Sequence, residues 1–191
     1  MSRIAYVNGQ YLPHADAAVH VEDRGYQFAD GVYEVIAVCH GILIDEEGHL
    51  KRLERSLGEL EIAWPMSAQA MSVVMREVVR RNRVQNGIVY LQITRGVAPR
   101  NHAFPAHAES AIVMTARKTR PFDIEVSSQG VDVVTTDDIR WKRCDIKSIS
   151  LLPNILGKEK AQRAGAYEAW MVDADGYVTE GTSSNAWIVT E

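Results

Sequence analysis

"GVYEVIAVCHGILIDEEGHLKRLERSLGEL" (residues 31–60) changes its period part-way along. Residues 31–44 are rich in β-branched and aromatic types and are interrupted by Gly41, which reads as a hairpin. Leu50, Leu53, Leu57 and Leu60 then recur at three- and four-residue steps, the spacing of one helix face. Outward from this switch the same alternation of types continues. Upstream, "IAYVNGQYL" (4–12) is a second hairpin candidate, because Asn8-Gly9 suits the positive φ angles of a type I′ turn. Downstream, Ser67 is a candidate N-cap for a helix carrying Met71, Val74, Met75, Val78 and Val79 on one stripe. Arg80, Arg81 and Arg83 lie near its end, where the helix dipole is negative. "GIVYLQITRG" and "SAIVMTAR" read as two further strands joined by a polar loop.

Strands, two helices and strands again predict an α+β layer domain over residues 1–118. A linker is expected over 119–126, where Pro121 interrupts regular structure. A second unit, 127–191, holds the strand "VDVVTTD", a helix from about Pro153 to Ala164, the strand "YEAWMVD", the turn "DADG" and a strand from Tyr177. "NAWIVTE" has the composition of the middle of a strand, and the second unit has too few elements to close a core, so a continuation is expected.

The 191 residues are 46% hydrophobic and 24% charged with a net charge of −4, which fits a soluble globular chain. An acidic total supplies no overall field toward nucleic acid or anionic lipid. The start lacks an apolar leader, and no stretch reaches the roughly 18 apolar residues of a membrane span. Cys39 and Cys144 show no paired spacing, so a reduced, cytoplasmic chain is expected.

Against that acidic background, Arg140, Lys142, Arg143 and Lys147 gather around Asp145 in "RWKRCDIKSISLLPN" (140–154). A lysine is nucleophilic only as the neutral amine, which neighbouring cations and burial favour. Ile146, Ile149 and Leu151 give Lys147 an alternating frame compatible with a strand, yet on spacing alone a lysine in a basic run is more often a surface residue. Arg140, Lys142 and Arg143 have Asp137, Asp138 and Asp145 as candidate partners, and Cys144 is read as a packing residue. In "APRNHAFP", Arg100 and His102 stand two apart and share a side of an extended segment, a pairing that suits a carboxylate. A polar loop with an incidental histidine is the commoner case. No second ligand stands at a metal spacing, so metal is rejected. "TEGTSSNAW" offers Glu180 to a cationic ring nitrogen and Thr182, Ser183 and Ser184 to phosphate oxygens, or is simply a hydroxyl-rich loop. The glycine spacings of nucleotide-binding loops are absent.

"EDRGYQFADGVYE" (22–34), "HLKRLERS" (49–56), "TRGVAPRNHAFP" (94–105), "DIRWKRCDIKSISLLPN" (138–154) and "VTEGTSSNAWIV" (178–189) follow one another in that order. The set resembles the class IV pyridoxal-phosphate aminotransferases, and among them most closely the D-amino-acid transaminases. The resemblance implies a two-domain fold, an N-terminal α/β sandwich and a C-terminal pseudobarrel domain truncated at residue 191. It implies pyridoxal 5′-phosphate as cofactor, with Lys147 as Schiff-base lysine and proton carrier, Glu180 on the pyridinium nitrogen, and Arg52 on the phosphate. Ser183 and Ser184 match the hydroxyl loop around the cofactor, and Tyr33 matches an active-site tyrosine.

Arg100 and His102 match the pair that, with that tyrosine, traps the substrate α-carboxylate from the neighbouring subunit. A homodimer follows from this, exchanging amino groups between a D-amino acid and a 2-oxo acid such as 2-oxoglutarate. The alternatives are a branched-chain L-amino-acid transaminase, an aminodeoxychorismate lyase, and a truncated, non-catalytic dimerisation module. Arg100 with His102 argues against the first two. The family's chain normally runs well past residue 191, so activity is expected of a longer protein.

Overall fold

A computed structural model describes residues 3–120 and 128–190. Most of the expected linker, including Pro121, lies outside the described residues. The chain divides into two compact units, Met1–Pro121 with Asp145–Ile149, and Phe122–Cys144 with Ser150–Glu191. Asp145–Ile149 therefore packs with the first unit, although its place in the sequence assigns it to the second.

The first unit is built on a six-stranded sheet. Strands β1 (Ile4–Val7) and β2 (Gln10–Pro13) form the Asn8-Gly9 hairpin, with φ of 44° and 93° at the two turn residues. A short helix that periodicity did not signal, α1 (Arg24–Phe28), is capped by the Asp23 carboxylate on Gly25 N at 2.8 Å. Five residues are too few to display a helical repeat. Strand β3 (Gly31–Cys39) turns through His40-Gly41 into β4 (Ile42–Leu43). Helices α2 (Glu46–Glu59) and α3 (Ala68–Arg81) follow, then β5 (Gly87–Thr94) and β6 (Ala111–Lys118). The strand order is β2-β1-β6-β5-β3-β4, with antiparallel pairing throughout.

Strand alternation separates the two sides of this sheet. Val32, Ile36 and Val38, Val89, Leu91 and Ile93, and Ile112, Met114 and Ala116 are buried with Leu53 and Leu57 of α2 and Met71, Met75 and Val78 of α3. Each fully buried valine, leucine, isoleucine or methionine among them contributes about 1.5–3 kcal/mol. Tyr33, Val35, Tyr90, Gln92 and Val113, at the intervening positions, are only half-buried.

The N-terminal half of β3 would leave a bare edge, and residues 147–149 occupy it. Tyr33 N donates to Lys147 O at 3.1 Å, Ile149 N donates to Gly31 O at 3.1 Å, and Val32 faces Ser148 in one antiparallel bridge. The alternating segment, compatible in sequence with a strand, is thus a single bridge pinned by Ile146, which is buried in the core.

In the second unit, β7 (Val133–Asp137) pairs in parallel with β8 (Glu168–Val172), which pairs antiparallel with β9 (Val178–Gly181). Helix α4 (Leu152–Arg163) packs on β8, with Pro153 in its first turn. These are the strands and the helix that the described residues supply toward the implied pseudobarrel. Residues 185–190, expected as a strand, join no ladder, since no described strand lies beside them to accept their hydrogen bonds.

Candidate active site

Lys147 and Tyr33 meet in the first unit. The Lys147 ammonium lies 3.3 Å from the Tyr33 hydroxyl and 4.4 Å from the centre of its ring. Both backbones are fixed: Tyr33 by the β3 ladder and the bond to Lys147 O, Lys147 by its N–H donating to Ser56 Oγ on α2 at 3.2 Å. The Tyr33 ring lies 5.8 Å from that of Tyr90, whose hydroxyl donates to Gln92 Oε1 at 2.7 Å. Burial, with the Tyr33 oxygen nearby, pushes the Tyr90 phenol up to about 12. Tyr90 is therefore a neutral donor at any physiological pH.

Arg52 is held by a group that the motifs did not single out. Glu34 faces the helices from β3 and is 1% exposed. Arg52 Nε and Nη2 take its two oxygens at 2.7 and 2.6 Å, and His49 Nδ1 lies 2.7 Å from Oε2. His49 and Arg52 stand three apart on α2, so both reach one carboxylate. The bonds to Glu34 raise the Arg52 guanidinium further above its ordinary value. A signal was present in sequence: Glu34 interrupts the apolar series Val32, Ile36, Val38.

Arg100 and His102 occupy the loop between β5 and β6, and both lie beside the Phe28 ring. The Arg100 guanidinium is 4.7 Å, and the His102 ring 5.3 Å, from the Phe28 ring centre.

In the second unit, Ser183 and Ser184 turn toward Glu168, which is 2% exposed. Ser183 N and Oγ donate to Oε2 at 3.1 and 2.8 Å, and Ser184 Oγ donates at 2.9 Å. Thr182 Oγ1 and Ala169 N donate to Oε1. Burial works to raise this carboxyl, and the hydrogen bonds from Thr182, Ser183, Ala169 and Ser184 outweigh it, drawing the group down to about 2. A serine hydroxyl has one proton to give. In this arrangement those of Ser183 and Ser184 go to Glu168.

Glu180 accepts from Gly181 N at 3.1 Å through Oε1. Arg140 pairs with Asp138 at 2.7 Å, and Thr179 Oγ1 donates to the same carboxylate at 2.6 Å, so this member of the basic run is structural. Asp145 is bound by Arg55 of α2 at 2.8 Å, inside the first unit. Cys144 Sγ donates to Trp141 O at 3.0 Å. Among the described residues no cluster of three or more His, Cys, Asp or Glu is placed to hold a metal, and no helix is long and apolar enough to cross a membrane.

Residues 31–191 match the family model described as amino-transferase class IV. The chain belongs to the class IV aminotransferases. It is 42% identical to the D-alanine aminotransferase of Bacillus licheniformis over 184 residues, 96% of this chain and 64% of that protein. It thus spans a little less than two thirds of that relative's length. As a class IV chain it superposes on the branched-chain amino acid aminotransferase of Escherichia coli with a TM-score of 0.82 at 21% identity, over 95% of this chain and 63% of the other. For the branched-chain aminotransferase of the archaeon Thermoproteus uzoniensis with norvaline, the TM-score is 0.76 at 22% identity, over 95% and 63%. At these identities the superpositions establish the class IV fold. A further class IV neighbour, a branched-chain amino acid aminotransferase with a TM-score of 0.83 at 20% identity, was solved with pyridoxamine 5′-phosphate.

Three observations test these residues against a phosphorylated pyridine aldehyde. The Lys147 amine faces a phenol hydroxyl rather than a carboxylate. Arg52 spends only its Nε/Nη2 edge on Glu34 and is 48% exposed, which leaves Nη1 for an anion. Glu180 has one oxygen engaged by its own backbone neighbour and a second for a ring N–H. The donor types fit the group.

Proposed function

We propose that the complete protein transfers the amino group of a D-amino acid to a 2-oxo acid such as 2-oxoglutarate, with pyridoxal 5′-phosphate as cofactor. The observation that carries this reading is the approach of Lys147 Nζ to Tyr33, with both backbones locked along β3. The match to a protein named D-alanine aminotransferase supports the substrate class.

Lys147 would hold the cofactor through its aldehyde, Glu180 would pair with the ring nitrogen, and Arg52 would hold the phosphate through the guanidinium edge that Glu34 does not take. The loop holding Ser183 and Ser184 lines the cofactor through its remaining backbone N–H groups. When bound, the cofactor supplies an electron sink for the charge left as the substrate Cα–H bond breaks. Lys147 Nζ, as the neutral amine, would accept the substrate α-proton and hold it for return to the reacting system. The Tyr33 hydroxyl keeps that amine oriented through the transfer. Arg100 offers a planar fork to the α-carboxylate and His102 adds a donor, each reaching the site of the partner subunit in a homodimer. The two cysteines, which show no paired spacing in the sequence, support a reducing, cytoplasmic setting.

The test is a half-reaction on the full-length protein loaded with cofactor. D-Alanine is expected to bleach the visible band of the bound cofactor, L-leucine is not, and Lys147→Ala abolishes the response. A response to L-leucine alone would overturn the D-amino-acid assignment in favour of branched-chain chemistry.

A further inference from the structure

Beneath the Arg100–His102 loop lies a buried group that the proposed chemistry does not use. The Asp30 carboxylate, 12% exposed, is shared by two guanidiniums: Arg24 Nε at 2.7 Å, and Arg95 Nε and Nη2 at 2.8 and 3.1 Å. Arg24 is 3% and Arg95 7% exposed. Burial acts to raise the Asp30 carboxyl, but the bonds from Arg95 and Arg24 outweigh it and hold the group ionised.

Each guanidinium has a second task on the backbone. Arg24 Nη1 donates to Asn101 O at 2.6 Å and Nη2 to His102 O at 3.4 Å. Arg95 Nη2 and Nη1 donate to Leu60 O and Glu61 O, at 2.7 and 3.1 Å, tying the cluster to the end of α2.

The loop itself has little regular structure. Val97 makes one isolated bridge to Asp23, and residues 98–110 join no strand. Gly96, at φ 91°, starts it where a Cβ would overlap the Glu109 carbonyl oxygen. Side chains supply the order that a ladder would. The Arg24 fork grips the carbonyl of Asn101, which separates the two carboxylate-binding residues, and that of His102 itself. Phe28 carries Arg24 at 4.9 Å on the same ring that carries Arg100 and His102. Phe104 lies 3.6 Å from the Arg95 guanidinium.

We propose that Arg24, Asp30 and Arg95, with Phe28 as platform, are positioning residues that fix the angle and separation of Arg100 and His102, and so set affinity for the substrate α-carboxylate. This rests on the reading of Arg100 and His102 as the carboxylate pair. A lysine at position 24 would keep the charge and the bond to Asp30, yet a single ammonium cannot reach Asp30 and both carbonyls in the plane of the guanidinium fork.

The experiment uses the full-length holoenzyme and the variants Arg24→Lys, Phe28→Leu and Arg100→Leu. It measures KM and kcat for D-alanine, the inhibition constant of propionate (the substrate skeleton without its amino group), the visible band of the bound cofactor, and the thermal midpoint. Arg24→Lys is expected to raise both KM and the propionate constant about ten-fold, with kcat, the band and the midpoint little changed. A merely structural role would move the midpoint and kcat instead. Phe28→Leu leaves the ion pairs intact and is expected to shift KM in the same direction, so the idea stays testable if Arg24→Lys does not fold. If Arg100→Leu raises both constants while folded Arg24→Lys and Phe28→Leu leave them unchanged, the positioning role is wrong and the carboxylate pair stands. If Arg100→Leu itself changes neither, the carboxylate reading falls and takes this inference with it.

Discussion

An ionised carboxylate on the buried side of a strand costs several kcal/mol unless it is paired. Glu34 meets this condition through Arg52 and His49, and its position beneath α2 gives Arg52 two jobs. One edge of the guanidinium neutralises Glu34, and under the proposed function the other takes the cofactor phosphate. Replacing Arg52 with alanine removes both. Loss of the main partner of a buried charge is expected to cost about 3 kcal/mol in urea unfolding of the full chain. The same variant is expected to weaken cofactor binding in a spectral titration. Unchanged stability would mean that His49 alone satisfies Glu34. The helix that carries Arg52 was legible from the leucine spacing around "HLKRLERS". Glu34's partnership was not, since no pairwise spacing along the chain relates residue 34 to residues 49 and 52. Ser183 and Ser184 show the same limit: their hydroxyls are recognisable, but Glu168, which takes those protons, lies fifteen and sixteen residues upstream.

Periodicity speaks for elements more reliably than for residues. Helix α3 begins at the predicted cap, with Ala70 N donating to Ser67 Oγ at 3.2 Å. Ser67→Ala is expected to lower stability by about 1 kcal/mol in denaturant titration, while Ser67→Asp, which keeps an acceptor, changes little. Met75, fully buried on the same helix, is a larger stake. Met75→Ala is expected to cost about 2–5 kcal/mol, the upper end if the cavity stays open. Both helices and both hairpins were readable because their signals are local: a stripe at steps of three and four, a capping serine, an Asn-Gly turn. Helix α1 escaped notice, being shorter than two turns. The 147–149 segment kept its alternation without becoming a strand, because only the short bare edge of β3 is available to it.

At the scale of the molecule, buried or bonded carboxylates connect fold to pH. Glu168 titrates near 2 in the folded chain, below about 4.3 for an unfolded glutamate. Its contribution to stability is therefore complete above about pH 4.3 and is lost as pH falls from there through about 2. Asp30 is depressed as well and acts in the same direction. The thermal midpoint of the full-length protein is expected to drop across this acid window, and Glu168→Gln to flatten that slope while leaving the neutral-pH cofactor band in place. A slope unaltered by the substitution would assign the acid sensitivity to other carboxylates.

The sequence by itself determined the two hairpins, helices α2 and α3 and the class IV family, and its motifs singled out Lys147, Tyr33, Arg52, Arg100, His102 and Glu180 as candidates. These rest on local periodicity and on motifs that keep their residues within a few positions of one another. Only the tertiary structure decided that Asp145–Ile149 packs with the first unit, that Glu34 grips Arg52, that Glu168 claims the serine hydroxyls, and that Arg24 reaches the carbonyls beneath His102. Each of those is a contact between a charged or polar group and a partner that burial brings to it. Such pairing is imposed by the cost of leaving a buried charge or hydrogen-bonding group unmet, and it becomes visible only once the chain has folded.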